Sequence, residues 1–245
     1  MIVSVLALGS CSSDAPGVSA TMTLVQHSSP VSGTITPAAA DVPRTFSNAA
    51  YDITLTKAYI KMATAEIHEC PTRKFTWRNL QELFMPSAFA HGGATSTSAT
   101  VEQVINLMKT DLQLHELGAI EPPEKTYCDA AIVLNAADAT THELPVDVDM
   151  VGKTFHFEGT FSTLDSGAPG TPFIISSNGS IEKEIEFSPS LELKSANGAQ
   201  KIVLGTVYDQ WFTDVDFMAS DVDKAAKVLS NLANSFEYYT GTYTE

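Results

Sequence analysis

The side chains of this 245-residue chain best suited to hold a soft metal or form a covalent link are six histidines and three cysteines. The histidines are His27, His68, His91, His115, His142 and His156. The most suggestive grouping is His68 beside Cys70, with His91 on the glycine tip His91-Gly92-Gly93. An imidazole on a loop can close over an ion already held by a strand, so His68 and His91 are the first candidate ligands for a soft metal such as copper. The competing reading is a set of histidines scattered over the surface. If Cys70 is in a disulfide it cannot serve as a thiolate, and the other donors would be His, Met and carboxylate. A blue-copper centre needs Cys, His and Met closely spaced after a strand. The first histidine after Cys128 is His142, too distant for that loop.

Acidic pairs offer harder donors. Asp147-Val148-Asp149, Asp214-Val215-Asp216 and Asp221-Val222-Asp223 place alternate carboxylates on one face if extended. Oxygen ligands suit Ca²⁺, but no glycine and closing glutamate follow at EF-hand spacing. Aromatics offer a third surface: Tyr208, Trp211, Phe212 and Phe217, then Phe236, Tyr238, Tyr239 and Tyr243. An exposed aromatic strip binds sugars or partner proteins, whereas a buried one packs a helix onto a sheet. Enzyme signatures fail on inspection. There is no Gly-x-Ser-x-Gly elbow. His68-Glu69-Cys70 lacks the second histidine of a zinc-protease helix. Gly152-Lys153-Thr154 ends like a P-loop, but Asp147 stands where the first glycine must let phosphate reach the backbone. The chain is therefore read as a binding protein rather than an enzyme.

The N-terminus carries a different message. Met1 to Leu8 is apolar apart from Ser4, small residues follow, and Cys11 comes next. This is the apolar and cleavage region of an export signal, with no Lys or Arg before it. Leu8-Gly9-Ser10-Cys11 resembles the lipobox of bacterial lipoprotein signals. The resemblance implies cleavage before Cys11, lipid on that cysteine, and anchorage to a membrane. Ser12 and Ser13 after the cysteine resemble the pattern sorted to the outer membrane, facing the periplasm or the cell surface. With Cys11 lipidated, Cys70 and Cys128 remain, and an even remainder in an exported chain favours a disulfide. Such a bond would stabilise by roughly 4 kcal/mol. Two buried thiols, or one thiolate ligand, are the alternatives.

These groups need a scaffold. Lys and Arg number 14 against 29 Asp and Glu, a net charge of −15, which argues against nucleic-acid binding. Hydrophobic content of 44% is that of a folded chain, and no apolar run reaches the about 18 residues of a membrane helix. Residues 1–10 read as signal, 11–20 as a lipidated tether, and 21–245 as one domain. Thr21 to Val25 reads as a strand, and Ser28 to Asn48 as a loop interrupted by Pro30, Pro37 and Pro43. Tyr51, Ile53 and Leu55 alternate; Ala58, Ile60 and Met62 alternate in the opposite phase, and a second slip at Ala63-Thr64 turns Ala65 and Ile67 inward. Each flip marks a bulge or tight turn. Val101 to Met108 is ambiguous between strand and helix. Glu121 to Glu124 is a stiff turn, and Tyr127 to Leu134 a buried strand. Phe155, Phe157 and Phe161 share a face opposite His156 and Glu158. Ile181, Ile185 and Phe187 alternate with Glu182, Glu184 and Glu186, and Ile202 to Tyr208 reads as another buried strand. Asn178-Gly179 and Asn197-Gly198 read as hairpin turns. One helix is expected at about 220–236, capped by Ser220, with Val222, Ala225, Ala226, Leu229, Leu232 and Ala233 as its apolar stripe.

Short strands, turn signals and one late helix predict an all-β fold, an antiparallel β-sandwich of the Ig-like or a related type with a C-terminal helix. The stretch from Val101 to Asp138, an apolar strand, a proline turn and a Tyr-bearing strand, is similar to exported β-sandwich lipoproteins, some of them copper-binding and methanobactin-associated. That resemblance implies the fold and a metal-handling role. The function expected is thus a lipid-anchored exported protein that binds a soft metal or a partner. The rival is a structural or adhesive surface module without metal.

Overall fold

In the computed structural model, residues 17–29, 37–71 and 96–243 are described. The signal segment, Cys11 and His91 lie outside the described residues. Strand β1 (Ala20–His27) pairs parallel with β10 (Gln200–Val207) and antiparallel with β5 (His115–Ile120), and β11 (Phe236–Tyr238) extends the far edge. This four-stranded sheet runs β11-β10-β1-β5.

The larger sheet is organised by β3 (Tyr51–Glu69), a strand of 19 residues. Tyr59 pairs with Asn106 on one side and His156 on the other, and Met62 with Gln103 and Leu134. It follows that β7 (Phe155–Thr163) and β6 (Thr126–Leu134) lie end to end along one edge of β3. Along its other edge lie β2 (Arg44–Ser47) and β4 (Ser98–Asn106). Outside these, β8 (Thr171–Ser177) pairs with β7, and β9 (Ile181–Glu192) with β6. The register of β3 slips between Leu55 and Lys57 and again between Met62 and Thr64. These are the two phase flips in the sequence: each extra residue re-aims the side chains, so Leu55, Ala58, Ile60, Met62, Ala65 and Ile67 all reach the core.

Among the described residues the molecule is an all-β sandwich with one α-helix, near the C-terminus. Met22, Leu24, Ile202 and Leu204 of the small sheet meet Ile53, Ile60, Ile132, Phe155 and Phe157 of the large one in one buried cluster. Trp211, Phe212 and Phe217 are buried, with Trp211 stacked on Phe157 at 4.9 Å between centroids. The aromatic run is core, not an exposed strip; only Tyr243 of that set is exposed. Helix α1 (Asp221–Asn234) begins at Ser220, whose side chain accepts from the Asp223 amide. Its packed stripe is Ala225, Val228, Leu229 and Leu232. Val222, expected inward, is exposed, because the stripe starts one turn later than the sequence suggests.

Three further expectations change. The segment read as loop from Ser28 to Asn48 contains β2. Val101 to Met108 is mostly strand. Asn178-Gly179 and Asn197-Gly198 are crossings between different partners, since β8 pairs with β7, β9 with β6 and β10 with β1. Gly198 still supplies the left-handed residue, φ 69°, that closes the turn at Ser195–Asn197.

Candidate functional site

Cys70 and Cys128 form a disulfide at the end of the β3–β6 ladder, with Cα atoms 4.7 Å apart. Cys70 is therefore not a metal thiolate. Two residues earlier, His68 faces Asp129 across the same ladder, and Nδ1 lies 2.7 Å from the Asp129 carboxylate. The His68 side chain is 40% exposed and that of Asp129 30%. A carboxylate on Nδ1 fixes the ring and turns Nε2 outward, the geometry of a metal-ligating or basic imidazole. Glu69 pairs with Lys125 at 2.5 Å beside it. The chain departs after Pro71 and is next described at Ser96, and the Ile67 amide donates to Thr97. Pro71 and Thr97, described residues on either side of that gap, both lie near His68. Among the described residues, no three His, Cys, Asp or Glu side chains converge as a metal-ligating group.

A second polar region lies on the outer face of the large sheet. The face of β3 and β7 turned away from the core carries Lys57, Tyr59, Lys61, His156 and Glu158. Instead of facing water, it is covered by the connection between β6 and β7. Ala137, Val148, Met150 and Leu144 from that connection pack on Tyr59 and Val104. The connection is tied down by backbone bonds: Val104 N–H donates to His142, and His142 N–H to Glu102. Beneath it Lys57 contacts Asp147 at 3.1 Å and Glu158 at 3.4 Å. The Asp147 bond holds the Lys57 ammonium above its usual range and the Asp147 carboxyl below its own. His156 Nε2 lies 2.8 Å from Glu158, while His156 Nδ1 and Thr154 Oγ1 are buried with no hydrogen-bond partner. Lys61, only 2% exposed at the side chain, lies 2.6 Å from Glu102 Oε2 and 2.5 Å from Asn135 Oδ1.

Beside this face, the seam between β4 and β5 opens into a crevice of about 500 Å³, lined by Tyr59, Lys109, His115, Glu116, Glu143 and Asp147 among others. Gln103 Nε2 donates to the Glu116 carbonyl across the seam. His115 is buried, which lowers its pKa to about 4, helped by the nearby Lys109 charge. Gln26 uses its amide group to donate to Lys109 and Thr110, so its Oε1 accepts from His115 Nε2–H at 2.9 Å. That bond selects the neutral Nε2–H tautomer.

Under the small sheet, Arg44 and Asp111 form a buried pair at 3.1 Å, with side chains 1% and 0% exposed. The contact is an ion pair, not an aligned hydrogen bond: Asp111 Oδ1 and Arg44 Nε have no hydrogen-bond partner. Asp111 Oδ2 accepts from Ala38 N–H and Tyr208 O–H, and Arg44 donates to the carbonyls of Ala39, Val42 and Lys109. The pair pins residues 38–44 to residues 109–111. Sequence reasoning missed it, because Arg44 and Asp111 stand in stretches with no periodic pattern.

The acidic pairs have local employment. Asp147 holds Lys57, Asp149 accepts from Val151 N–H, and Asp216 accepts from Tyr51 O–H and Met218 N–H. Asp223 bonds its own cap, Ser220, while Asp221 pairs with Lys224. No helix among the described residues is long and apolar enough to cross a membrane. No protein family, no curated protein and no solved structure matches the chain.

Proposed function

We propose that the chain is an exported, lipid-anchored module of a bacterial envelope that works by binding and holding rather than by turnover. The disulfide between Cys70 and Cys128 carries this reading, because such bonds persist in oxidising compartments. It leaves Cys11 as the one remaining cysteine, set within a lipobox-like string just ahead of a short Ser/Ala/Gly-rich stretch. Val18 and Ala20 are buried in the core, so the tether expected over residues 11–20 is confined to the Ser/Ala-rich stretch before them, suited by its composition to hang the body from the outer membrane, in the periplasm or on the cell surface. The partners implied are that membrane and a protein or metal ion, and the charge of −15 opposes nucleic acid. Growth with a palmitate analogue tests the anchor. Wild type should label and Cys11→Ala should not; equal labelling of both removes the anchor.

Soft-metal binding, with copper first, is the second reading. One observation favours it: the Asp129 carboxylate, 2.7 Å from His68 Nδ1, orients that ring as a metal-ligating imidazole is oriented. Calorimetric titration of the mature protein with Cu(I) and Cu(II) should show micromolar or tighter binding, lost in His68→Ala plus His91→Ala. Binding undiminished in that variant, or none in wild type, overturns this reading. In the second case the structural or adhesive module remains.

A further inference from the structure

We propose that Lys61 and Asn135 join through their side chains in an amide bond, formed by the protein on itself with Glu102 as proton carrier. Lys61 lies on β3, Glu102 on β4, and Asn135 directly after β6, so three adjacent strands converge their side chains on one point. Lys61 Nζ lies 2.5 Å from Asn135 Oδ1. With a C=O bond of about 1.23 Å, the Asn135 carboxamide carbon is at most ~3.7 Å from the amine, near the reach of a poised attack. Glu102 Oε2, 2.6 Å from the same nitrogen, is placed to take its proton. Glu102 itself sits at φ 43°, a left-handed conformation that costs a non-glycine residue energy. It falls beside the bulge where β3 slips against β4 between Met62 and Thr64. A plain surface ion pair needs no such backbone. The Lys61 side chain is 2% exposed, held between Glu102 and Asn135. Glu102 is 46% exposed and leaves a path to water for a small leaving group.

The chemistry closes without a co-reactant. Lys61 passes a proton to Glu102, and the freed amine attacks the Asn135 carboxamide carbon. The bond from that carbon to Nδ2 then breaks as Glu102 returns the proton to the leaving nitrogen, and the second proton shed by the new amide nitrogen goes to the departing ammonia. The ammonium side chain and the carboxamide become a secondary amide and an ammonium ion. One C–N bond forms, one breaks, nothing is oxidised, and the chain loses about 17 Da as ammonia. The new bond would close a 74-residue separation, in parallel with the disulfide, whose closure spans 58. It would hold β3 to β6 near the middle of β3 and needs no oxidising compartment, so it stands independently of export.

The test is mass spectrometry of the full chain, purified, unfolded, reduced and digested with trypsin. Reduction separates the peptides held by Cys70 and Cys128, leaving only a bond between Lys61 and Asn135 to join residues 58–73 to residues 126–153. The expected result is one joined species, lighter by about 17 Da than its two parts, with no cleavage after Lys61. Lys61→Arg keeps the buried charge but offers no primary amine, and should give residues 58–61, 62–73 and 126–153 as separate peptides. Glu102→Gln should leave most of the pair unjoined while melting as a folded protein. Separate peptides in wild type overturn the proposal. So does a loss of ammonia that maps to Asn178-Gly179 or Asn197-Gly198, where backbone cyclisation has the same mass. Undiminished joining in Glu102→Gln overturns the role of Glu102.

Discussion

Replacing His115 with glutamine should remove one identifiable source of acid sensitivity. His115 is buried, and Nε2–H donates to Gln26, so the folded protein holds the ring neutral. Burial, with Lys109 close by, lowers its pKa from 6.5 to about 4. In the unfolded chain the ring takes up a proton at its ordinary pKa. Between those values the unfolded state binds more protons, so stability falls as pH falls. The stabilisation is complete above pH 6.5 and is lost as pH drops to about 4. At 1.36 kcal/mol per unit the difference amounts to about 3 kcal/mol. His115→Gln keeps an N–H donor for Gln26 and does not titrate. Urea unfolding of both proteins, from neutral pH down to about pH 4, gives the stability difference at each pH. Other groups cancel in the difference. His27 pulls the opposite way: despite the desolvation that opposes its charge, its bonds to Glu237 and Ser28 raise its pKa. The gap between wild type and variant should move by about 3 kcal/mol in favour of the variant as pH falls. Parallel stability curves would refute the reasoning.

Three further outcomes follow from the packing. Cys70→Ser with Cys128→Ser should lose roughly 4 kcal/mol in urea unfolding under oxidising conditions, the loop-closure value for a 58-residue separation, and an unchanged midpoint would contradict this. Arg44→Met strands Asp111 as a buried charge and should cost about 3–5 kcal/mol by thermal or urea unfolding; a loss below about 1 kcal/mol would mean the pair is not closed in solution. Ser220→Ala removes the bond to the Asp223 amide and should cost about 1 kcal/mol, read by circular dichroism melting, with no loss contradicting the cap.

Much of the sandwich was legible because its inner faces alternate. The two slips in β3 could be read from Leu55, Ala58, Met62 and Ala65 alone, since an apolar pattern can change phase inside one strand only through an extra residue. The cap at Ser220 and the strand from Tyr127 to Leu134 were legible for the same local reasons. What was lost depended on coverage. Lys61 and His156 stand opposite core residues, so the period of two sends them to solvent. A connection without periodicity, residues 135–153, then folds back over them. The hairpin reading at Asn178-Gly179 and Asn197-Gly198 failed because those dipeptides specify a tight turn, not which strand the chain joins next. Of the expected ligands, His68 is held by Asp129, a pairing set by strand register rather than by sequence distance. The disulfide was legible by counting cysteines, once Cys11 was given a separate task.

The claim on which this account turns is that the sheet-built body hangs from lipid at Cys11. The mass of the N-terminal peptide, taken from protein recovered in the membrane fraction of the cells that make it, measures this directly. The account requires a peptide that begins at Cys11 and carries diacylglycerol on its sulfur. A peptide that runs unmodified through Leu8-Gly9-Ser10-Cys11 would contradict it.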